Sequence, residues 1–187
     1  MKTDITFRIT PEILKDATKN ENKDLTGHLG THFDVMNKEF PLDFTERKAV
    51  VFDVSDVKDR DIVVGDIDAG RIESDMFVGF FTGFIEAEEY GTQRYYKQHP
   101  QLSHDLIEFL LQKDISVIGL DFAGVRRGKE HTPTDQYCAD KGVFIIENLC
   151  NLKSVTDAGG EGIAHVYPMN FSGLTGLPCR VILEVQD

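Results

Sequence analysis

The sequence predicts a mixed α/β fold, strand-rich, with one main helix packed on the sheet. Three observations point there. Short apolar or β-branched runs of strand length recur along the chain, one stretch alone has a clear helical stripe, and 187 residues suffice for one well-buried domain. Residues 1–187 are therefore read as a single domain, with no repeat, low-complexity tract or long linker to divide it.

Taken in order, Ile5 to Ile9 alternates apolar and polar residues and reads as a first strand. Pro11 to Asn22 suggests a short polar surface helix or loop. Ala49 to Val54 and Asp61 to Val64 read as strands. So does Met76 to Phe84, where Gly79 and Gly83 suggest that another group comes close. Pro100 to Lys113 is the clear helix: Ser103 is its N-cap, Leu102 and Ile107 its hydrophobic staple, and Leu106, Phe109 and Leu110 its stripe. Val117 to Leu120 and Val143 to Ile146 read as buried strands. The polar stretch Ala123 to Thr134 between them reads as a loop. Ile163 to Tyr167 and Arg180 to Val185 are the last strands. The connection from Ser172 to Pro178 reads as a turn, since it lacks the lysine and Ser/Thr of a P-loop.

The formal charge of −12 argues against nucleic acid or an anionic membrane as partner. No apolar run is long enough to span a bilayer, and the start has no signal-peptide core. Cys138, Cys150 and Cys179 read as free thiols, which together with the other features points to the cytoplasm.

Chemistry concentrates in His28-Leu29-Gly30-Thr31-His32-Phe33-Asp34. If this stretch is extended, His28, Gly30, His32 and Asp34 share one face, and Gly30 leaves room between the imidazoles. On a helix Asp34 would fall well round the cylinder. Two imidazoles and a carboxylate suit Zn, Mn or Fe(II) with positions left open. Such a cation could lower the pKa of a bound water toward about 7 and polarise a carbonyl, which serves hydrolysis of amides, esters or lactams. Glu147, directly after an apolar strand, could reach a site mouth or pair with a surface lysine. Phe33, Phe80 and Phe84 could wall a pocket, with core packing the default. Arg126 and Arg127 could hold a substrate carboxylate or serve solubility.

The heptad closely resembles the His-x-Gly-Thr-His-x-Asp signature of the metal-dependent cyclase and hydrolase family, which includes bacterial kynurenine formamidase and isatin hydrolase. Further blocks follow in the family's order. These are Phe80-Phe81-Thr82-Gly83-Phe84, Pro100-Gln101-Leu102-Ser103 with Gly119-Leu120-Asp121, Ile146-Glu147-Asn148-Leu149 with Asn151-Leu152, Tyr167-Pro168-Met169, and Gly176-Leu177-Pro178-Cys179-Arg180. The resemblance covers roughly Thr26 to the C-terminus.

It implies a swivelling β/β/α-type domain, assembled as a homodimer or higher homo-oligomer. It also implies one divalent metal per chain, zinc or manganese, held by His28, His32 and Asp34, with Glu147 beside it as ligand or acid/base. The activity implied is an arylformamidase-like amidohydrolase acting on a small molecule through metal-activated water.

Three departures qualify this. The last histidine of the family's Asp-x-Pro-x-His is Lys38 here, a second family histidine, about twelve residues before the Glu-Asn-Leu glutamate, is Asp135, and the Ser-containing loop after the Gly-Asp block is Phe122-Ala123-Gly124-Val125-Arg126-Arg127. Lys38 is in phase with the ligands and is expected to project toward them. There it would supply a fixed charge paired with Asp135 or Glu147, or act as a base; a bend at Met36 to Asn37 would instead turn it to solvent. His131 reads as a surface residue that could alternatively replace the missing histidine. Loss of both histidines also fits a non-catalytic relative that keeps fold and metal.

Overall fold

The computed structural model describes residues 1–17 and 24–185. The end of the surface segment expected over Pro11 to Asn22 lies outside the described residues. The strands are β1 (Lys2–Asp4), β2 (His32–Asp34), β3 (Glu46–Asp53), β4 (Phe77–Phe81), β5 (Val117–Leu120), β6 (Phe144–Glu147), β7 (Glu161–Pro168) and β8 (Gly176–Val185). The helices are α1 (Pro11–Ala17), α2 (Asp24–Gly27), α3 (Phe84–Ala87), α4 (Gln93–Gln98), α5 (His104–Gln112), α6 (His131–Asp140) and α7 (Leu152–Thr156).

Seven strands close into a barrel. The pairing order is β8-β2-β6-β5-β4-β3-β7, and β7 returns to β8; β1 adds to the β8 edge beyond β2. The run from β3 to β6 is parallel, and the remaining pairs are antiparallel. Closure leaves those seven strands without a long free edge for another chain to pair with.

Period two along each strand separates two cores. Phe33, Val51, Phe77, Ile146, Val181 and Leu183 belong to one cluster; Val50, Phe80, Ile118 and Ile145 belong to the other, with Leu106, Ile107 and Leu110 of α5. Gly119 is required by the first cluster, where a Cβ would collide with the Phe77 ring. Of the two glycines expected to mark a close approach, Gly79 would bring a Cβ to 3.0 Å from a Val51 methyl and 3.3 Å from the Phe77 ring, both core groups, and Gly83 would make only an ordinary contact with Phe81 at 3.7 Å. Ser103 caps α5 as expected, its hydroxyl accepting from the Leu106 amide at 3.1 Å.

Some expectations shift. The first strand is Lys2–Asp4 rather than Ile5 to Ile9, although Ile5 is fully buried and Thr6 bridges Leu149. Within Asp61 to Val64, Ile62 forms a bridge with Leu102, and a 3-10 turn follows. The Ser172 to Pro178 connection is already strand from Gly176. More important, the helix on the sheet is not alone. The Ala123 to Thr134 stretch expected as a loop turns into α6, which is as long as α5. Its buried face carries Asp135 with Cys138 and Ala139, so no apolar stripe announces it. No described helix is long and apolar enough to cross a membrane. The three cysteines are free.

Candidate metal centre

The site lies where β2, β6 and α6 meet. In the antiparallel β2–β6 pair His32 stands directly opposite Glu147, and Asp34 is opposite Ile145. Because Phe33 and Ile146 point into the barrel core, His32, Asp34 and Glu147 share the other face. One strand pairing therefore brings together residues 115 positions apart in sequence, counted as 147 − 32.

His28 arrives differently from expectation. The strand is only His32–Asp34, and His28 follows α2 in a turn. It still converges: its Nδ1 is 3.2 Å from Asp34 Oδ1, and His32 Nε2 is 3.4 Å from the same oxygen. Gly30 does not make room for an ion. It adopts a left-handed φ of 69°, and a Cβ there would strike Ile9.

A second trio adjoins the first. His131 Nε2 is 3.3 Å from Asp135 Oδ2, one helical turn along α6, and 3.7 Å from Glu147 Oε1. The other Glu147 oxygen, Oε2, lies 3.4 Å from His32 Nε2. His28, His32 and Asp34 form one group and His131, Asp135 and Glu147 another, each with ligand atoms within 4.8 Å of one another. Glu147 touches both. His131 is thus brought to the centre rather than left on the surface, its side chain 35% exposed.

These groups fit a divalent cation on two independent grounds. Each imidazole is held by its outer nitrogen. His32 Nδ1 donates to the Gly30 carbonyl at 2.9 Å, His131 Nδ1 to the Arg126 carbonyl at 3.2 Å, and His28 Nε2 bonds Thr175 Oγ1 at 2.9 Å. A carbonyl can only accept, so His32 and His131 each carry a proton on the outer Nδ1 and aim Nε2 inward, the nitrogen left to bind a metal. Second, His32 Nε2, both Asp34 oxygens, Asp135 Oδ1 and Glu147 Oε1 are buried without hydrogen-bond partners. Burying carboxylates unpaired is costly, and a dication offsets it.

The protonation pattern carries the same strain. Burial, then Asp34 and Asp135, hold Glu147 well above the usual carboxylate range; burial and Asp34 do the same to Asp135. Burial pushes Asp34 up too, but His32 and His28 outweigh it and leave its pKa low. Desolvation lowers His131 and favours its neutral form.

Lys38 does not join. Met36 takes a left-handed φ of 55°, the chain turns after Asp34, and Lys38 Nζ pairs with Asp140 at 2.6 Å rather than with Asp135 or Glu147. Lys38→Ala is accordingly expected to leave cation affinity unchanged in a calorimetric titration, with an unfolding midpoint close to that of the parent chain, since exposed ion pairs contribute little.

Phe33 packs on Phe40 and Phe144, each at 5.0 Å, inside the barrel and away from the site. Arg126 is engaged by Asp61 at 2.6 Å, Glu130 at 2.8 Å and the Leu102 carbonyl at 2.9 Å, so it is not positioned as a substrate clamp. Thr175 and Gly124 carry no sequence signal of their role. A Cβ on Gly124 would collide with the His131 ring, and its φ of 104° is glycine territory. Gly124→Ala is expected to displace His131 and weaken cation binding there, read by titration, while His28, His32 and Asp34 stay in place.

The profile of the family described as "Putative cyclase" matches residues 3–126. The chain belongs to that family. No curated protein matches it. Among solved structures it is similar to a potential metal-dependent hydrolase with cyclase activity: 26% identity, TM-score 0.76, covering 100% of this chain and 98% of the other. It is also similar to a predicted metal-dependent hydrolase from Bacillus stearothermophilus, at 26% identity and TM-score 0.73, covering 98% and 97%. Isatin hydrolase A from Labrenzia aggregata shares the fold, at 22% identity and TM-score 0.72 over 86% of this chain and 74% of that one.

Proposed function

We propose that this chain is a metal-dependent hydrolase that cleaves an amide, lactam or ester bond of a small molecule. In this reading one divalent cation is held by His28, His32 and Asp34 and a second by His131, Asp135 and Glu147. The observation that carries it is the convergence of bare imidazole nitrogens and unpartnered carboxylate oxygens from both trios on Glu147. The nitrogen and carboxylate donor set favours zinc or manganese. Similarity to proteins named as metal-dependent hydrolases supports the same reaction class.

Bound cations at such positions supply a nucleophilic water near neutral pH and polarise a substrate carbonyl. The chain's own groups do the rest. His28 and His131 are the partly exposed members of the trios and the ones a substrate meets first, whereas His32, Asp34 and Glu147 are buried. Glu147, with one oxygen toward His32 and the other toward His131, is placed to accept a proton through an oxygen not engaged by a cation as the bond is attacked and to return it to the leaving group. Replacing one family histidine by Asp135, with His131 one turn away, keeps a nitrogen and a carboxylate at this corner. It therefore weakens the case for a catalytically dead relative.

Metal analysis of the purified protein, titration after chelation, and hydrolysis assays on N-formylkynurenine, isatin, simple lactams and esters test this. Two tight equivalents per chain, with turnover abolished by His32→Ala, support it. One equivalent reduces the second trio to an acid/base set. Bound cation without turnover on the whole panel favours a binding protein, and no bound cation overturns the reading.

A further inference from the structure

We propose that Tyr95 is a positioning residue for this centre: through Asn148 and the Gly30 carbonyl it sets the aim of the His32 imidazole. The proposal rests on reading His28, His32 and Asp34 as a cation site.

Tyr95 lies on α4 and is fully buried, packed on Phe84 and Tyr90 with ring centroids at 5.6 and 5.4 Å. A buried phenol needs a partner, and its hydroxyl donates to Asn148 Oδ1 at 2.7 Å. The other end of that amide, Nδ2, donates to the Gly30 carbonyl at 2.9 Å. The same carbonyl accepts the His32 Nδ1 proton. Gly30 is fixed on its other side as well, where its N–H, in the preceding peptide unit, donates to the Tyr90 hydroxyl at 2.7 Å. An aromatic cluster thus holds both peptide units that flank Gly30, and the second of them holds the His32 ring.

Asn148 is shaped for this. It is buried with a left-handed φ of 59°, unusual outside glycine, and the cost of such a conformation is met by its bonds. Its carbonyl accepts from Thr31 Oγ1 at 2.7 Å, and its N–H donates to the Phe122 carbonyl at 3.2 Å.

What Tyr95 adds is the choice of amide orientation. Nδ2 lies 3.5 Å from His32 Nδ1. Were the amide reversed, Oδ1 would oppose the Gly30 carbonyl and offer the Nδ1 proton a second acceptor, tilting Nε2 off Asp34 and Glu147. The phenol proton on Oδ1 holds the productive orientation. His131 depends instead on the Arg126 carbonyl and is outside this chain of bonds.

The test is nitrogen-15 NMR of the histidine rings in the chelated protein, together with zinc titration, on the parent, Tyr95→Phe and Asn148→Gly. Glycine tolerates the left-handed backbone while deleting the amide. Val155→Ala, a core truncation away from the site, controls for lost stability. The expected result is a His32 ring that keeps Nδ1–H in all four chains, with its ring-nitrogen shifts unchanged in Val155→Ala and displaced in the other two. Zinc affinity in those two should fall roughly 10-fold or more, the range typical of lost ligand-orienting bonds, with the His131 ring unchanged. Unaltered His32 ring shifts and affinity in Tyr95→Phe overturn the proposal. If that variant does not fold, the same result in Asn148→Gly does so. Should the parent bind no zinc, the proposed function falls, while the His32 ring shifts of the chelated chain still decide the role of Tyr95.

Discussion

Replacing Glu147 with glutamine is expected to lower turnover by at least roughly 10²-fold, the lower bound for losing a positioned proton-transfer group, and to weaken cation binding at both trios. Its two oxygens face different histidines, Oε2 toward His32 and Oε1 toward His131. The amide keeps the shape but presents one neutral oxygen and one N–H. That N–H must point at one of the two bare nitrogens or at a cation. Asp34→Asn, by contrast, removes charge from the first trio only. Zinc titrations on the two variants separate these outcomes. If Glu147→Gln loses affinity at the His131–Asp135 corner alone, Glu147 does not link the trios.

The second large effect is on stability. Without a cation the folded chain buries three carboxylates together. Asp135 and Glu147 have folded pKa values above their unfolded ones, because of burial and neighbouring carboxylates. Such groups bind protons in the folded state that the unfolded chain releases. Their contribution is complete below the ordinary carboxylate range near about 4 and is lost as pH rises through the folded values. Asp34 runs the opposite way. Its pKa is depressed, so its contribution is present above its ordinary value and lost only in strong acid. Asp121, raised to about 6 by burial against the bonds from Thr82 and Gly83, adds a loss between its ordinary value and that pH, with or without a cation.

The chelated protein is therefore expected to lose stability from pH 5 to pH 8. The cation-bound protein gains affinity over the same range as its ligands shed protons. At about 1,000 times the dissociation constant a cation adds roughly 4 kcal/mol, or roughly 8–16 °C for a domain of this size. Calorimetric unfolding at the two pH values, with and without chelator, reads the gap, and it should widen toward pH 8. A gap that narrows would mean that these carboxylates do not hold the cation.

Much of this was legible beforehand. α5 declared itself through Ser103, its staple and its stripe, all local features within a dozen residues. The inner strands β4, β5 and β6 read as apolar runs because both their faces are buried. α6 did not, because the face it buries is a polar site rather than a core, and periodicity detects only apolar stripes. Lys38 misled for a related reason. Its in-phase position presumed a regular strand, but β2 ends at Asp34 and Met36 turns left-handed two residues on.

The sequence by itself determined the first trio of candidate ligands, His28, His32 and Asp34, since their spacing within seven residues is short enough for local geometry to bring them near one another. It also determined that a carboxylate closes β6. Tertiary structure alone decided that Glu147 faces His32, that His131 and Asp135 complete a second trio, and that Lys38 stays out. Those contacts depend on strand register and on where α6 lies along β6. Register shifted by one residue would turn Glu147 into the barrel core, and no pattern within a single segment encodes that pairing.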